Sequence, residues 1–360
     1  LPWLKEAKRH LEEIGVKTSI NPWVTLNHAD LGRNGSALFP DIQWMVDYTG
    51  IEARSCACPL SPGWQRYIMQ VYKLYASVMP EILWLEDDFR NFNHSPVTFG
   101  CFCSIHLKDF SERLGKKITR EELVKYILSP GAPRPERRLW MGFLGEAMVE
   151  VARKIEQAVH GVSPSTRLGL MTSSPWDHSI EGRKWIELLK ALSGPHEPVV
   201  RPAMGNYEES SSLGIYDTGE LMRRTIFCLP KGTRICPELE NSQFTLFSKS
   251  ALFSKLQIAL GQTMKAKDIT MNLYDHLGTP IDDEPAYGKI LKESKPFFDG
   301  LASRYLEDGK EQGVGLLHHP SASGYAHTVD GKKFEELYPY DNGWAMVVQA
   351  CGMPVTFEPS

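Results

Sequence analysis

The stretch ILWLEDDFRNFNHSPVTFGCFCSIH, residues 82–106, combines a strand pattern with two sets of reactive side chains. Four apolar residues lead directly into Glu86, Asp87 and Asp88, and a Cys-x-Cys-x-x-His pattern begins thirteen residues after Asp88. An apolar run that ends in carboxylates is typical of a buried strand whose carboxyl end reaches a polar site. A strand that runs out into a solvated acidic loop would show the same pattern, so the neighbouring sequence has to decide between the two interpretations.

The same arrangement recurs along the chain. Strands are predicted at residues 16–25, 82–87, 166–173, 198–206, 233–240 and 268–276. Helices are predicted over the opening residues and at 63–79, 104–114, 136–160, 181–193, 214–228, 248–264 and 284–305. Such alternation implies a parallel sheet, and every predicted strand ends in polar residues.

Polar residues at the carboxyl ends of parallel strands are typical of a (β/α)8 TIM barrel enzyme, whose active site collects at that end. The six predicted strands are two fewer than such a barrel needs. A doubly wound sheet would concentrate function at one switch point behind a glycine-rich phosphate loop. The sequence contains neither GxGxxG nor a Walker A motif, so an α/β barrel is the predicted fold.

The composition narrows the class of partner. Of the 360 residues 42% are hydrophobic and 23% are charged, with a formal net charge of −4, so nothing electrostatic favours a nucleic acid or an anionic membrane as partner. No apolar run is long enough to span a bilayer. Seven cysteines are an odd and modest number, which argues against a secreted disulfide framework and makes a cytoplasmic location the expectation.

The pattern changes after residue 310. A new strand is predicted at 314–320, and residues 343–360 read as a helix, a turn and a further strand. These elements predict one βαβ unit of a second α/β domain. We therefore expect a barrel domain over 1–309 and the beginning of another domain over 310–360.

The strand-end acids suggest glycoside hydrolysis. Side chains alternate along a strand, so Glu86 and Asp88 are expected on one face with Asp87 on the other, while Glu238 and Glu240 share a face of a later strand. Retaining glycosidases use two carboxyl groups about 5–5.5 Å apart, one as nucleophile and one as proton donor. Two pairs of acids converging on one barrel mouth would supply them.

Two other interpretations of the acids remain open. Some of them could form ion pairs with buried arginines, such as Arg90 or Arg201. Acidic strand ends in barrels also hold divalent metals, which would indicate a metal-dependent lyase or isomerase.

Several segments resemble glycoside hydrolase family 42, the β-galactosidases. WLEDDFR followed by CFCSIHLKDFSERL is similar to the WQIDNEYG and CYCxxC segments of that family, and CPLSPGWQRYI (58–68) is similar to its CPNSPAYR segment. ICPELENS lies where the family has its nucleophile strand, and residues 343–358 resemble the start of its amidotransferase-like domain. The resemblance implies a barrel whose first two strands are missing from this chain, followed by the start of that α/β domain.

The resemblance also implies catalytic roles. The acid/base glutamate of the family falls on Asp88 and the asparagine before it on Asp87, so Glu86 remains an alternative acid. The nucleophile falls on Glu240, with Glu238 as the alternative. The implied activity is that of a retaining exo-β-glycosidase, either β-galactosidase-like or another β-glycosidase such as a β-mannosidase. Because an aspartate replaces the usual glutamate, a non-catalytic carbohydrate-binding relative also stays open.

A metal site follows from the same resemblance. Cys58, Cys101 and Cys103 occupy three positions of a four-cysteine zinc site, and His106 replaces the fourth cysteine. Four protein ligands make a closed, structural zinc site. Cys56 could take the place of Cys58. No organic cofactor is expected.

A sugar-binding rim is predicted at the strand ends, where sugar hydroxyls need donors and acceptors and sugar faces need aromatic rings. The residues assigned to it are Asp87, Asn27, His28, Trp176, Asn206, Tyr207, Asn241, Tyr274 and His276. Each of them would fit equally well as part of a loop scaffold. The expected partner is a glycoside or oligosaccharide, and the resemblance implies a possible homotrimer.

Overall fold

The structure, a computed structural model, describes residues 1–27, 35–93, 96–210, 214–246, 248–264, 266–304, 312–339 and 342–359. Helices and strands alternate through it, as in an α/β protein. The helices are α1 (Pro2–Glu13), α2 (Gly35–Leu38), α3 (Pro62–Ala76), α4 (Ser104–Leu114), α5 (Arg120–Ile127), α6 (Pro135–His160), α7 (Pro175–Ile180), α8 (Trp185–Ser193), α9 (Gly214–Cys228), α10 (Ala251–Thr263), α11 (Pro285–Arg304) and α12 (Asn342–Ala350). The strands are β1 (Trp44–Val46), β2 (Glu52–Ala57), β3 (Ile82–Leu85), β4 (Arg167–Thr172), β5 (Val199–Pro202), β6 (Arg234–Ile235), β7 (Glu238–Glu240), β8 (Thr270–Asn272), β9 (Val314–His318) and β10 (Val355–Pro359). Short 3-10 helices lie at Ile281–Asp283, Ala322–Gly324 and Phe334–Leu337.

The chain forms two compact units. The first unit comprises residues 1–171, 176–198 and 320–339, and the second comprises 172–175, 199–319 and 340–360. The domain boundary predicted at residue 309 remains a prediction.

Side-chain caps begin two helices of the first unit. The Ser61 hydroxyl accepts a hydrogen bond from the Trp64 amide at the start of α3, and Pro62 follows as the first helical residue. Thr119 and Glu122 form a capping box at the start of α5. The long helix α6 packs against α3, α5 and α8, and its predicted bounds of 136–160 are confirmed within one residue.

β3 is held in the interior of the first unit. It pairs in parallel with β4, with Trp84 opposite Gly169. A Cβ atom at Gly169 would lie 2.4 Å from the Trp84 ring, so only glycine leaves room for that indole. The Tyr72 hydroxyl donates to the Trp84 carbonyl at 2.8 Å, which ties α3 to the strand.

The predicted strand 16–25 is wrong in its extent. Ile20 forms one parallel bridge with Leu83, and the Thr18 carbonyl accepts a further backbone hydrogen bond from the Glu81 amide. Pro22 has no N–H to continue a ladder, and Trp23 has a φ of 70°, so the chain leaves the sheet after one bridge.

A hairpin lies at residues 44–57, where no strand is predicted from the sequence. β1 pairs with β2 in antiparallel orientation. Asp47 closes the connecting turn because its Oδ1 accepts hydrogen bonds from the amides of Thr49, Gly50 and Ile51. β1 has only three residues, and β2, with the sequence EARSCA, lacks an apolar run, so neither strand shows a recognisable pattern.

The second unit contains shorter strands than the sequence predicts. β5 pairs with β6 and β7 pairs with β8, both in parallel. The predicted strand 233–240 is interrupted at Cys236 and Pro237, where proline removes one backbone donor. Two apolar clusters pack beneath these strands; they contain Met204, Met222, Ile235 and Met264, and Leu239, Ile258, Leu273 and Tyr287.

The predicted βαβ unit near the end of the chain is confirmed. β9 and β10 pair in parallel, with α12 preceding β10. A buried polar group joins α9 to β9, since Arg224 donates to the Glu220 carboxylate and to His318 Nδ1. Cys351, at the end of α12, is exposed. Among the described helices, none has the length and apolar character needed to cross a membrane.

Candidate active site and metal centre

The three acids after β3 lie in a turn. β3 ends at Leu85, so the alternation predicted for Glu86, Asp87 and Asp88 does not extend to them. Asp88 is completely buried. Its Oδ1 accepts a hydrogen bond from the Thr25 amide at 2.8 Å, and its Oδ2 accepts one from the Leu26 amide at 2.6 Å.

Glu86 and Asp87 are partly exposed. The Glu86 amide donates to Thr25 Oγ1 at 2.9 Å, and Glu86 Oε2 accepts from the Asp87 amide at 2.7 Å. The Asp87 carboxylate pairs with the buried Arg90 guanidinium at 2.9 Å. The interpretation in which some of the acids form ion pairs with buried arginines is therefore correct for Asp87.

The two acids of β7 share one face of the strand. Leu239 between them points into the apolar cluster with Ile258, so Glu238 and Glu240 face the other side. Glu238 is buried, with its Oε1 at 3.6 Å from Arg201 Nη2. Glu240 is partly exposed at the end of the strand.

A row of hydrogen-bonding side chains begins at Glu240. Asn272, at the end of β8, donates from Nδ2 to Glu240 Oε1 at 3.0 Å. The same Nδ2 atom lies 2.8 Å from His276 Nε2. His276 Nδ1 lies 3.1 Å from Gln243 Oε1. The row therefore joins a carboxylate on β7 to the last side chain of β8 and to two side chains beyond the strand ends.

A buried amine lies behind β7. Lys249 Nζ donates to the Glu240 carbonyl at 2.6 Å and to Gln257 Oε1 at 2.8 Å. Burial lowers the pKa of Lys249 to about 8, and attraction from Glu240 and Glu238 opposes that shift. The amine thus supplies positive potential next to both carboxylates.

Cys58, Cys101, Cys103 and His106 come together in the first unit. Their ligand atoms lie within 4.8 Å of one another, and all four residues are buried. Cys58 Sγ is 3.6 Å from Cys103 Sγ, and His106 Nδ1 is 3.3 Å from the former and 3.5 Å from the latter. These separations fit the edges of a tetrahedron around zinc, which are roughly 3.5–3.8 Å for Zn–S bonds of about 2.3 Å and Zn–N bonds of about 2.0–2.1 Å.

The chemistry of the cluster also suits a soft cation. Burial raises the pKa of the Cys58 and Cys101 thiols, whereas hydrogen bonds from these two thiols lower the pKa of Cys103. A cation would allow all three sulfurs to be thiolates in this buried place. The ligands link the residue after β2 to the loop before α4 and to the first turn of α4 itself.

Cys56 does not belong to this cluster. Its Sγ accepts a hydrogen bond from Asn93 Nδ2 at 3.1 Å and lies 4.0 Å from Met45 Sδ. The structure therefore groups Cys58, and not Cys56, with the other three side chains.

The predicted rim residues have varied surroundings. Asn27 is partly buried with a φ of 59° and Trp176 lies in α7; His28 lies outside the described residues. In the second unit Tyr207 is exposed, while the Asn241 side chain is buried and donates to the Leu273 carbonyl at 2.9 Å.

The remaining rim positions also belong to the second unit. Asn206 is partly buried. Tyr274 packs edge-on against Tyr287, and His276 takes part in the row that begins at Glu240.

Sequence reasoning missed Asn272, Gln243 and Lys249. Asn272 interrupts the apolar run of a predicted strand. A polar residue in that position is the one sequence feature that could have marked it as part of the site. Gln243 and Lys249 follow β7 within a loop and carry no pattern of their own.

Comparison with known proteins supports the fold. No protein-family model matches this sequence, and no curated protein matches it. Among solved structures, a cold-adapted β-galactosidase from Rahnella sp. R3 is similar over 99% of this chain and 57% of its own, with 12% identity and a TM-score of 0.60.

Two further structures are similar to the same extent. A catalytic mutant of Gan42B, a GH42 β-galactosidase from G. stearothermophilus, has 11% identity and a TM-score of 0.61. A β-galactosidase from Bacillus circulans sp. alkalophilus has 13% identity and a TM-score of 0.60. Each match covers 99% of this chain and 57% of the other.

This likeness shows a shared fold. The chain spans little more than half the length of these solved structures, and the low identity carries no residue-level assignment. The expected resemblance to GH42 β-galactosidases is therefore confirmed at the level of the fold.

Proposed function

We propose that the chain belongs to a retaining exo-β-glycosidase with Glu240 as its nucleophile. The observation that carries this proposal is the Glu240 carboxylate: it ends a parallel strand, is partly exposed, and accepts a side-chain hydrogen bond from Asn272. The fold shared with GH42 β-galactosidases supports the same chemistry. Glu238 is more deeply buried and lies near Arg201, which suits an electrostatic role better than attack on a sugar.

In the first step, Glu240 attacks the anomeric carbon of a terminal β-linked sugar. The bond from that carbon to the leaving oxygen breaks as the new ester bond forms, and the leaving oxygen takes a proton from a general acid. We assign the acid to Glu86, because it is partly exposed. Asp88 is fully buried and both of its carboxylate oxygens accept backbone hydrogen bonds, so proton transfer from it to a sugar oxygen would require it to leave this buried place and to replace at least one of those bonds.

In the second step, water replaces the Glu240 ester. The Glu86 carboxylate takes a proton from the water, whose oxygen bonds to the anomeric carbon while Glu240 leaves as a carboxylate. Two displacements at one carbon retain the β configuration. The same two groups therefore complete the cycle without any other reactant than water.

The proposal includes a (β/α)8 barrel that the whole protein would complete, followed by an amidotransferase-like domain that begins near residue 310. The parallel pairs β3–β4, β5–β6 and β7–β8 are consistent with such a barrel. Asn206, Tyr207 and Tyr274 are assigned to the sugar-binding rim. Asn241 is proposed to shape this rim, because its side chain donates a hydrogen bond to the Leu273 carbonyl.

Zinc is proposed as a structural ion held by Cys58, Cys101, Cys103 and His106. Four protein ligands leave no position for substrate, so the ion would cross-link β2 to the loop before α4 and would not take part in the reaction. Metal analysis of purified protein should find about one zinc per chain. Cys101→Ser should lower both the zinc content and the melting temperature, whereas Cys351→Ser, at an exposed position, should change neither.

A panel of aryl β-glycosides tests the activity. Hydrolysis of at least one β-galactoside, β-mannoside or related glycoside is expected, with the β anomer released first in an NMR time course. Release of the α anomer, or a lack of turnover across the panel together with measurable sugar binding, would contradict the proposal. The assay should use the full-length protein, because the chain covers only part of the similar structures.

A further inference from the structure

The hydrogen bonds beyond β7 determine which nitrogen of His276 carries its proton. Glu240 Oε1 lies 3.0 Å from Asn272 Nδ2. A carboxylate only accepts hydrogen bonds, so the amide group of Asn272 must face it with its NH2. One of the two protons on that nitrogen is therefore directed at Glu240.

The second proton of Asn272 is directed at His276. Nδ2 lies 2.8 Å from His276 Nε2, and an amide nitrogen cannot accept a hydrogen bond. His276 Nε2 must therefore present its lone pair, which leaves the proton on Nδ1. That nitrogen lies 3.1 Å from Gln243 Oε1, an acceptor, so every donor in the row meets an acceptor.

The backbone holds the row in register. The His276 amide donates to the Gln243 carbonyl at 2.9 Å, and the Asn241 amide donates to the Asn272 carbonyl at 2.8 Å. The loop after β7 and the loop after β8 are thus joined by backbone bonds on both sides of the side-chain row. Such an arrangement restricts the rotamers of all four side chains.

We propose that Asn272 is a positioning residue for the Glu240 nucleophile and that His276, as its Nδ1–H tautomer, keeps the Asn272 amide oriented. This inference rests on the proposed function. Asn272 holds Oε1, and no described residue donates to the other carboxylate oxygen, Oε2. Oε2 is therefore the atom that attacks, and Oε1 becomes the carbonyl oxygen of the ester, still bonded to Asn272.

The same bond assists the second step. When water displaces the sugar, Glu240 regains its negative charge, and a donor already oriented at Oε1 stabilises that charge without reorganisation. His276 contributes through Asn272: without an acceptor at its Nε2 position, the Asn272 amide loses the second of the two partners that fix its orientation. The function of His276 is thus to position a side chain and not to bind the sugar.

The tautomer provides a test that does not depend on activity. Long-range proton–nitrogen NMR of the histidine rings distinguishes Nδ1–H from Nε2–H, and the His276→Gln variant identifies the signal among the eleven histidines. We expect Nδ1–H in the unsubstituted protein and a change toward Nε2–H in Asn272→Leu. An Nε2–H ring in the unsubstituted protein would overturn the inference.

Kinetics test the positioning role. On an aryl β-glycoside with a good leaving group, Asn272→Leu should lower kcat about 10- to 100-fold with KM nearly unchanged, because a misplaced nucleophile slows the chemical steps without weakening binding. His276→Gln, whose side-chain oxygen can accept from Asn272, should retain most of kcat, whereas His276→Phe should approach Asn272→Leu. A raised KM with unchanged kcat in both histidine variants would instead assign His276 to the sugar.

The two proposals fail in different ways. If Glu240→Ala retains full turnover, the proposed nucleophile is wrong, even if the NMR signature of the row is present. If Glu240→Ala abolishes turnover but Asn272→Leu is fully active, the proposed function stands and the positioning role is wrong. Far-ultraviolet circular dichroism of each variant establishes that it is folded.

Discussion

The acidic ends of β3 and β7 look alike in sequence and differ in structure. After β3, Asp88 is buried against the Thr25 and Leu26 amides, and Asp87 pairs with Arg90. At the end of β7, Glu240 remains partly exposed and is held by one side-chain amide. A carboxylate that satisfies buried backbone donors stabilises the fold, whereas one held at a single oxygen keeps the other available for chemistry.

Of the substitutions at these two strand ends, that of Glu240 should have the largest effect on turnover. Glu240→Ala should reduce turnover by at least about 10⁴-fold, since removal of a covalent nucleophile eliminates both chemical steps. Added azide should restore part of the activity as a glycosyl azide. Glu238→Gln serves as the matched control on the same strand. A larger loss of turnover in that variant would assign the role of nucleophile to Glu238.

Substitution of Glu86 should have the second largest effect on turnover. Glu86→Gln removes the proposed acid/base and should lower turnover about 10²- to 10⁴-fold. The loss should be smallest for substrates whose leaving group needs no proton. Equal losses for good and poor leaving groups would mean that Glu86 does not donate the proton.

Asp88 should show the opposite behaviour. Asp88→Asn keeps one acceptor oxygen and places an NH2 group against a backbone amide, which should cost about 1–3 kcal/mol of unfolding free energy. Turnover of the folded protein should remain within a few-fold of the unsubstituted enzyme. Chemical denaturation measures the first quantity and steady-state kinetics the second; a stable but inactive Asp88→Asn protein would return the acid role to Asp88.

The smallest effect is expected for Lys249, whose amine supports β7. It is an effect on how the stability of the protein depends on pH. Its pKa is lowered to about 8 by burial, so between about pH 8 and the ordinary lysine value near 10.4 the unfolded chain binds more protons than the folded one. Stability should therefore rise as the pH increases through that window, by on the order of 1 kcal/mol. Lys249→Met should lack this rise in melting temperature, and an identical pH profile in both proteins would show that Lys249 is not buried as described.

Much of the helical framework could be predicted from the sequence because its signals are local. Ser61 with Pro62, and Thr119 with Glu122, mark helix starts through bonds to residues within a single turn. Gly15, with a φ of 78°, lies just after α1 in the left-handed conformation that favours glycine. The parallel pair β9–β10 was likewise predictable, because two apolar strands separated by a helix favour that pairing.

The strands were predicted less well because their partners are distant in sequence. Residues 16–25 are apolar enough for a strand, yet a Pro22 and the path of the chain leave one bridge. β1 and β2 are short, and the turn that joins them is recognisable only from the bonds to Asp47. No local pattern specifies such pairings.

The sequence alone determined which chemistry is possible: carboxylates at strand ends, and three cysteines with a histidine at metal-ligand spacing. The tertiary structure decided how those groups are used. It placed Asp88 against backbone amides and brought Asn272 to Glu240 from another strand, and it gathered Cys58 with residues more than forty positions away. The physical reason is that residue type sets what a side chain can donate, accept or ligate, while burial and the partners supplied by distant segments decide which of these interactions forms.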